Sequence, residues 1–339
     1  MTMDHPSAAG KKRVVEFCGG IDIGGTKIAS ALFTREGEIS ARNKIAIDKA
    51  GGDAAAGQAR DGIGVLDEAA RAAGGRLAAV GISVPGIAYA VSGKVWAPNI
   101  PGWDQYPLLE KIKEPRKQDH ERIPLVLESD RSAYIAGEAW RGAAAGARDA
   151  VYLAVGTGIG AGIIAGGRIL HGHEDIAGAV GWFGLDPRFK PEYAAIGSFE
   201  AEGSGKSVAR KARERLGQGR PSSMPGLAGG RIEAVTAEVV AAAARREDPL
   251  ALEIVAETVT YLAMGVANIV SLLNPEVVVV GGGLFQAADL FLEPVRREFK
   301  RWAQPLAARA VRIELSSLGE DAGLYGCGRL AWEALEGRR

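Results

Sequence analysis

The sequence predicts an α/β protein of two domains that meet at a cleft, and three observations carry that expectation. At 339 residues the chain exceeds the size at which a single hydrophobic core keeps growing. Its opening reads as three strands, a helix and a buried strand, the mixed order of α/β folds. It also states one pattern twice: a strand, a glycine turn and a second strand occupy 14–33 and recur at 151–165, as an internal duplication would produce.

Composition narrows the function classes. Lys plus Arg and Asp plus Glu each number 41, and only the short Lys11-Lys12-Arg13 run is basic, so the electrostatic footprint of a nucleic-acid binder is missing. Cys18 and Cys327 lie far apart in apolar settings. They read as buried thiols of a reducing compartment and exclude a four-cysteine zinc site. Residues 1–13 are polar and lack an apolar core, which predicts a disordered lead-in rather than a signal peptide. The longest uncharged stretch, 258–273, carries Thr, Tyr, Asn and Ser and falls short of a membrane span, so it reads as a core helix. A cytoplasmic protein with neither a membrane nor a nucleic acid as partner is the expectation.

The β-rich run 14–23 leads into Asp22-Ile23-Gly24-Gly25-Thr26-Lys27. Two glycines there allow backbone angles at which successive N–H groups face an anion, and Thr26 and Lys27 add donors. Asp22 offers the oxygen that a hydrated Mg²⁺ on nucleotide phosphates needs. The same composition also fits a plain hairpin with a solvated acid. Strand 28–33, a turn at 35–38 and strand 39–47 continue a meander. Helical spacing at 54–73 ends in Gly74-Gly75, and a buried strand follows at 77–84. Pro85-Gly86 breaks that strand, and Pro98-Asn99-Ile100-Pro101-Gly102-Trp103 forms a second rigid loop; both fit the lining of one cleft. Strand 125–127 closes on Glu128-Ser129-Asp130, and an alanine-rich helix follows at 131–145. Asp130 therefore falls at a helix N-terminus, either as a cap or as a functional acid.

The second unit holds Gly156-Thr157-Gly158-Ile159-Gly160 between strands 151–155 and 161–165, with a hairpin at Gly166-Gly167. Gly160-Ala161-Gly162 also begins a dinucleotide-binding pattern, but no helix opens there. Gly203-Ser204-Gly205-Lys206-Ser207 imitates the end of a phosphate loop; Glu200 stands where that loop needs glycine, so the segment reads as a helix start. Residues 216–231, rich in Gly, Pro and Ser, read as a mobile connection before a helix at 232–245. A longer helix at 249–273 is capped by Asp248-Pro249. A valine strand at 277–280 runs into Gly281-Gly282-Gly283, which fits a nucleotide-contacting turn and a plain connection equally. Strand 311–315 and helix 321–335 complete the chain.

Asp22 to Lys27, Pro85-Gly86, Asn99 with Gly102-Trp103, Asp130, Gly156 to Gly162, Ala177-Gly178, Glu200 with Ser204-Gly205, and Gly281 to Gly283 follow one another in a telling order. Over roughly 14–335 the chain resembles the ROK family of bacterial sugar kinases and repressors, within the actin-like ATPase (ribonuclease H-like) superfamily. The resemblance implies a first domain at 14–129, completed by a returning helix at 320–336, and a second domain at 130–319. It implies ATP and Mg²⁺ as cofactors, a sugar or cyclitol as substrate, and the homodimer usual in the family. By the same resemblance Asp130 is the general base and Asp22 holds Mg²⁺ through water. Gly24, Gly25, Thr26, Lys27, Gly156, Thr157, Gly158, Gly281, Gly282 and Gly283 hold the nucleotide. Pro85, Gly86, Asn99, Ser129, Asp130, Trp182 and Glu200 line the sugar site.

Departures from the family pattern bear on substrate. Where zinc-containing members read Ala-Gly-Glu-x-Gly-His followed by a cysteine-rich loop, this chain has Ala177-Gly178-Ala179-Val180-Gly181-Trp182 and then Tyr193 to Glu200 without a thiol. A loop without structural zinc is expected, held by packing of Trp182, Phe183, Tyr193 and Phe199. The family's acid, imidazole and amide on the sugar become Ala179, Trp182 and Ser129, which weakens recognition of glucose hydroxyls. Trp182 is expected either to plug the emptied space or to stack on a sugar face. A hexose kinase, an amino-sugar or cyclitol kinase, and a non-catalytic sensor of sugar or nucleotide are the functional readings. The family's repressors carry an additional DNA-binding domain ahead of the kinase fold, which residues 1–13 cannot supply.

Overall fold

Hydrophobic alternation and glycine punctuation build two sheets of the same design. A computed structural model describes residues 14–114 and 123–337; the lead-in at 1–13 lies outside the described residues. The first half runs β1 (Val15–Ile23), β2 (Lys27–Phe33), β3 (Ile39–Ala46), α1 (Gly52–Ala72), β4 (Gly75–Val84), β5 (Ile87–Tyr89), β6 (Lys94–Trp96), α2 (Leu108–Lys113) and β7 (Leu125–Ser129). Its sheet has the order β3-β2-β1-β4-β7, with β1 antiparallel to β2 and parallel to β4. α1 buries Ala55, Ala59, Ile63, Leu66 and Ala70 on one stripe, the spacing that seats a helix on a sheet.

The second half runs α3 (Asp130–Arg141), β8 (Ala150–Val155), β9 (Ile159–Ala165), β10 (Arg168–Ile169), α4 (Tyr193–Ile196), α5 (Ser198–Gly203), α6 (Gly205–Gly217), α7 (Met224–Leu227), α8 (Ala237–Ala244) and α9 (Pro249–Leu273). It ends with β11 (Val277–Gly281), α10 (Ala288–Glu298), α11 (Pro305–Ala310), β12 (Arg312–Leu315) and α12 (Ala322–Leu335). The second sheet has the order β10-β9-β8-β11-β12, again an antiparallel hairpin followed by parallel strands. The repeat seen in the sequence thus extends from one hairpin to a whole sheet.

α9 is long and apolar enough to cross a membrane by length and composition, yet Leu262, Val266, Ile269 and Val270 on it are buried in the second core. Asp248 Oδ1 accepts the Ala251 N–H at 3.0 Å and caps it as the sequence indicates. The connection at 216–231 is more ordered than its composition suggests. It contains α7, buries Met224, and is tied down where Ser222 Oγ and Ser223 N–H donate to Asp248 Oδ2 at 2.9 and 2.6 Å. The expected helix at 232–245 is shorter: a single tight turn at Ile232–Ala234 precedes α8, whose cap is Thr236.

α12 lies against β1 and β4 and crosses α3, which starts at the end of β7 and packs on β8 and β9. At that crossing the backbones touch. A β-carbon on Gly137 would stand 2.2 Å from Ala322 O, and one on Gly326 would stand 1.8 Å from Ala133 O. Glu138, fully buried, fastens α3 to the segment ahead of α12: Ser316 Oγ, Ser317 Oγ (3.3 Å) and the Leu318 N–H (3.2 Å) donate to its carboxylate.

Candidate active site

The parallel register of β1 and β4 sets Asp22 beside Ser83, whose hydroxyl donates to Asp22 Oδ1 at 2.6 Å. Burial pushes the Asp22 carboxyl above its ordinary range, and the Ser83 bond opposes that. On the other side α12 presents Gly323, where a β-carbon would stand 2.9 Å from Asp22 Oδ2. A single half-buried carboxylate with a clear flank fits Mg²⁺, which keeps most of its water and takes one or two protein oxygens. Among the described residues no group of three or more His, Cys, Asp or Glu side chains could hold a metal ion.

Neither glycine pair needs a left-handed backbone: Gly24, Gly25, Gly156 and Gly158 all lie outside positive φ, contrary to the reason given from sequence. Each turn closes on itself. Gly24 N–H donates to Lys27 O at 2.8 Å, and Gly156 N–H donates to Gly158 O at 2.9 Å. Among the described residues the N–H groups of Gly25, Thr26, Thr157 and Gly158 make no hydrogen bond, so each turn presents a pair of donors suited to an anion. What requires glycine is close approach. A β-carbon on Gly158 would stand 2.6 Å from Glu200 Oε2, the oxygen that accepts the Ile159 N–H at 2.8 Å. Burial raises the Glu200 carboxyl and that N–H lowers it.

The second turn is a junction. Gly205 N–H, at the start of α6, donates to Gly156 O at 2.8 Å, and a β-carbon on Gly156 would stand 3.6 Å from Gly283 N. The Gly281 to Gly283 turn, Glu200 and the Ser204-capped helix therefore meet around Gly156 to Gly158. At the first turn Asn99 packs on Gly25, with Asn99 Cβ 3.4 Å from a β-carbon built there. Pro85 and Gly86 leave the end of β4 beside Ser83 and lead into the β5–β6 hairpin, an element the sequence does not announce.

Asp130 is the first residue of α3 and not its cap. That place belongs to Ser129, buried, whose Oγ accepts the Ser132 N–H at 3.3 Å. The Ser129 hydroxyl is thus engaged with Ser132 at the start of α3, and the Asp130 carboxylate is released from capping. Arg131 N–H donates to Asp130 Oδ1 at 2.8 Å, and Tyr134 Oη makes a long bond of 3.4 Å to Oδ2. Burial lifts the Asp130 carboxyl to about 6; the Arg131 charge lowers it and the Asp22 charge raises it, which ties the two acids to one electrostatic site.

Two further residues have surroundings that the sequence does not announce. Lys27 Nζ pairs with Glu320 Oε2 at 2.7 Å on the surface. Trp182 is 57% exposed, so it does not plug the space. Phe183 stacks on buried Phe199 with centroids 6.4 Å apart, and Tyr193 is buried. The rest is polar and was not legible from the sequence. Buried Glu202 accepts from Tyr193 Oη at 2.6 Å, pairs with Lys211 at 2.9 Å and also binds Lys190. Burial works to raise the Glu202 carboxyl, but these partners bring it down to about 2.

The family model described as the ROK family matches residues 18–334. The chain is 32% identical over 315 residues to a glucokinase of Halalkalibacterium halodurans, covering 92% of this chain and 93% of that protein. The solved ROK family glucokinase from Streptomyces griseus, in complex with glucose and AMPPNP, is 30% identical, with a TM-score of 0.73 over 94% of this chain and 99% of that one. The ROK hexokinase from Thermus thermophilus is 28% identical, with a TM-score of 0.77 over 95% and 99% of the two chains.

Proposed function

This chain belongs to the ROK family and has its actin-like ATPase fold, and on that footing we propose that it is an ATP-dependent kinase acting on a hydroxyl of a hexose or related sugar. The observation that carries the proposal is the Asp130 carboxylate, freed from capping and electrostatically joined to Asp22. Phosphoryl transfer asks for in-line placement, for neutralisation of charge on the moving group and for a proton acceptor. Asp130 takes the hydroxyl proton as the acceptor oxygen bonds to the γ-phosphorus and the bridging bond to ADP breaks. The paired donors of Gly25 and Thr26, and of Thr157 and Gly158, bind phosphate oxygens. Asp22, oriented by Ser83, would hold Mg²⁺, which would supply charge neutralisation on the phosphates.

Amino sugars and cyclitols stand beside hexoses in this proposal because exposed Trp182 offers a flat apolar face where the family pattern has an imidazole. Trp182→Ala is expected to raise the acceptor KM by about three- to tenfold, the worth of one aromatic face. Its melting temperature should stay within a degree or two of the parent, because an exposed side chain contributes little to stability. Steady-state kinetics beside a thermal melt checks both parts.

A coupled ADP-release screen over glucose, other hexoses, N-acetylated sugars and cyclitols tests the function itself. Saturable ADP release with one acceptor class supports the kinase reading, and nucleotide binding without release under any acceptor turns the protein into a sensor. Protonation of the base stops proton transfer, so kcat/KM for the acceptor should fall as pH drops below about 6. A flat profile down to pH 5 would remove Asp130 as the titrating group.

A further inference from the structure

Arg131 follows the proposed base directly, and its stem lies over the β9 backbone. Its backbone belongs to the first turn of α3, and the Arg131 carbonyl lies 1.9 Å from where a β-carbon on Gly162 would stand, so α3 is pressed onto β9. From there the stem runs across Gly160: Cδ lies 2.6 Å, and Nε 3.7 Å, from a β-carbon built on that glycine. β9 carries no side chain at either position, which opens a track for the arginine towards the turn at Gly156 to Gly158. The residue is half-buried, and among the described residues its side chain makes no hydrogen bond and no close ion pair; the charge it acts on is the neighbouring Asp130 carboxylate. A guanidinium whose N–H groups are unclaimed keeps its full donor set for an arriving anion.

We propose that Arg131 is a further catalytic residue, whose guanidinium contacts the γ-phosphoryl group while it passes from ATP to the acceptor oxygen. The inference rests on the kinase reading and deepens it. The position suits the role because the backbone adjoins Asp130 and the stem crosses Gly160, two residues beyond Gly158 of the second phosphate-facing turn. A planar fork of donors matches phosphoryl oxygens in pairs. As the acceptor oxygen–phosphorus bond forms and the β,γ-bridging bond breaks, the bond's electron pair leaves with ADP, the hydroxyl proton goes to Asp130, and Arg131 balances charge on the equatorial oxygens.

The test compares Arg131→Ala and Arg131→Lys with the parent, using the acceptor found in the screen. Removal of the guanidinium is expected to lower kcat by about 10²- to 10³-fold, the usual effect of one oriented donor on a transition state, with both KM values within about threefold. Guanidinium ion added to Arg131→Ala should restore part of kcat, and Arg131→Lys should fall between the two. The acid limb should also move to higher pH in Arg131→Ala, because the groups facing Asp130 are then Tyr134 and Asp22 without the cation that holds its carboxyl down. An unchanged kcat in an active enzyme overturns the proposal alone, as does a defect confined to the acceptor KM or an absence of rescue in a variant that melts like the parent. A parent that releases no ADP with any acceptor removes the kinase reading and this inference together.

Discussion

Asp130→Asn is expected to lower turnover by about 10²- to 10⁴-fold, the contribution of a positioned base, and to raise the melting temperature at pH 7. Both effects come from one carboxylate. Burial, aided by the Asp22 charge, pushes it up to about 6 from its ordinary 3.8, so its charged form is disfavoured in the folded protein. An acid whose folded pKa is raised costs stability as pH climbs from about 4 to about 6, and that cost persists at neutral pH. The amide keeps the shape, still accepts the Arg131 N–H and removes the charge. Loss of activity with a gain in stability is the signature of a functional acid, whereas a structural cap would lose both. A variant with parental turnover takes Asp130 out of the chemistry.

Glu138→Ala should cost about 3–5 kcal/mol of unfolding free energy, because several buried donors lose a charged acceptor at once. The Ala143 N–H donates to it at 2.7 Å from just past the end of α3, and Ser316, Ser317 and Leu318 reach it from the approach to α12. Urea unfolding monitored by circular dichroism measures the loss, and Glu138→Gln, which keeps one acceptor oxygen, should lose clearly less. A cost under about 1 kcal/mol in the alanine variant would show that the loop finds other partners.

Local grammar was readable and distant pairing was not. The two strand-turn-strand units, the α9 cap and the helix start at Gly205 follow from alternation, glycine and capping chemistry within a few residues. The exchange of roles between Ser129 and Asp130 escaped because both residue types cap helices well, and only the β7 exit decides which one does. Trp182 invites a buried reading by its size, but exposure depends on a loop whose anchor, Glu202 with Lys211, is set by α5 and α6. Glu202 and Lys211 look like ordinary surface charges in sequence. Arg131 is equally silent there, since its track depends on glycines nearly thirty positions further along a different element.

The bare crossing of α3 and α12 bears on how the two sheets can move. Where helices mesh through long side chains, any swivel must lift knobs out of holes; here Gly137 and Gly326 leave main chain resting on main chain. Such a joint can pivot about the glycines, with the Trp140 and Tyr325 rings, centroids 6.3 Å apart, as the large side chains that must follow, while Glu138 acts as the pin that stops it sliding. Asp130 stands at one end of the axle, so a small turn of one sheet against the other alters the gap between the two anion-facing turns and displaces the base far less.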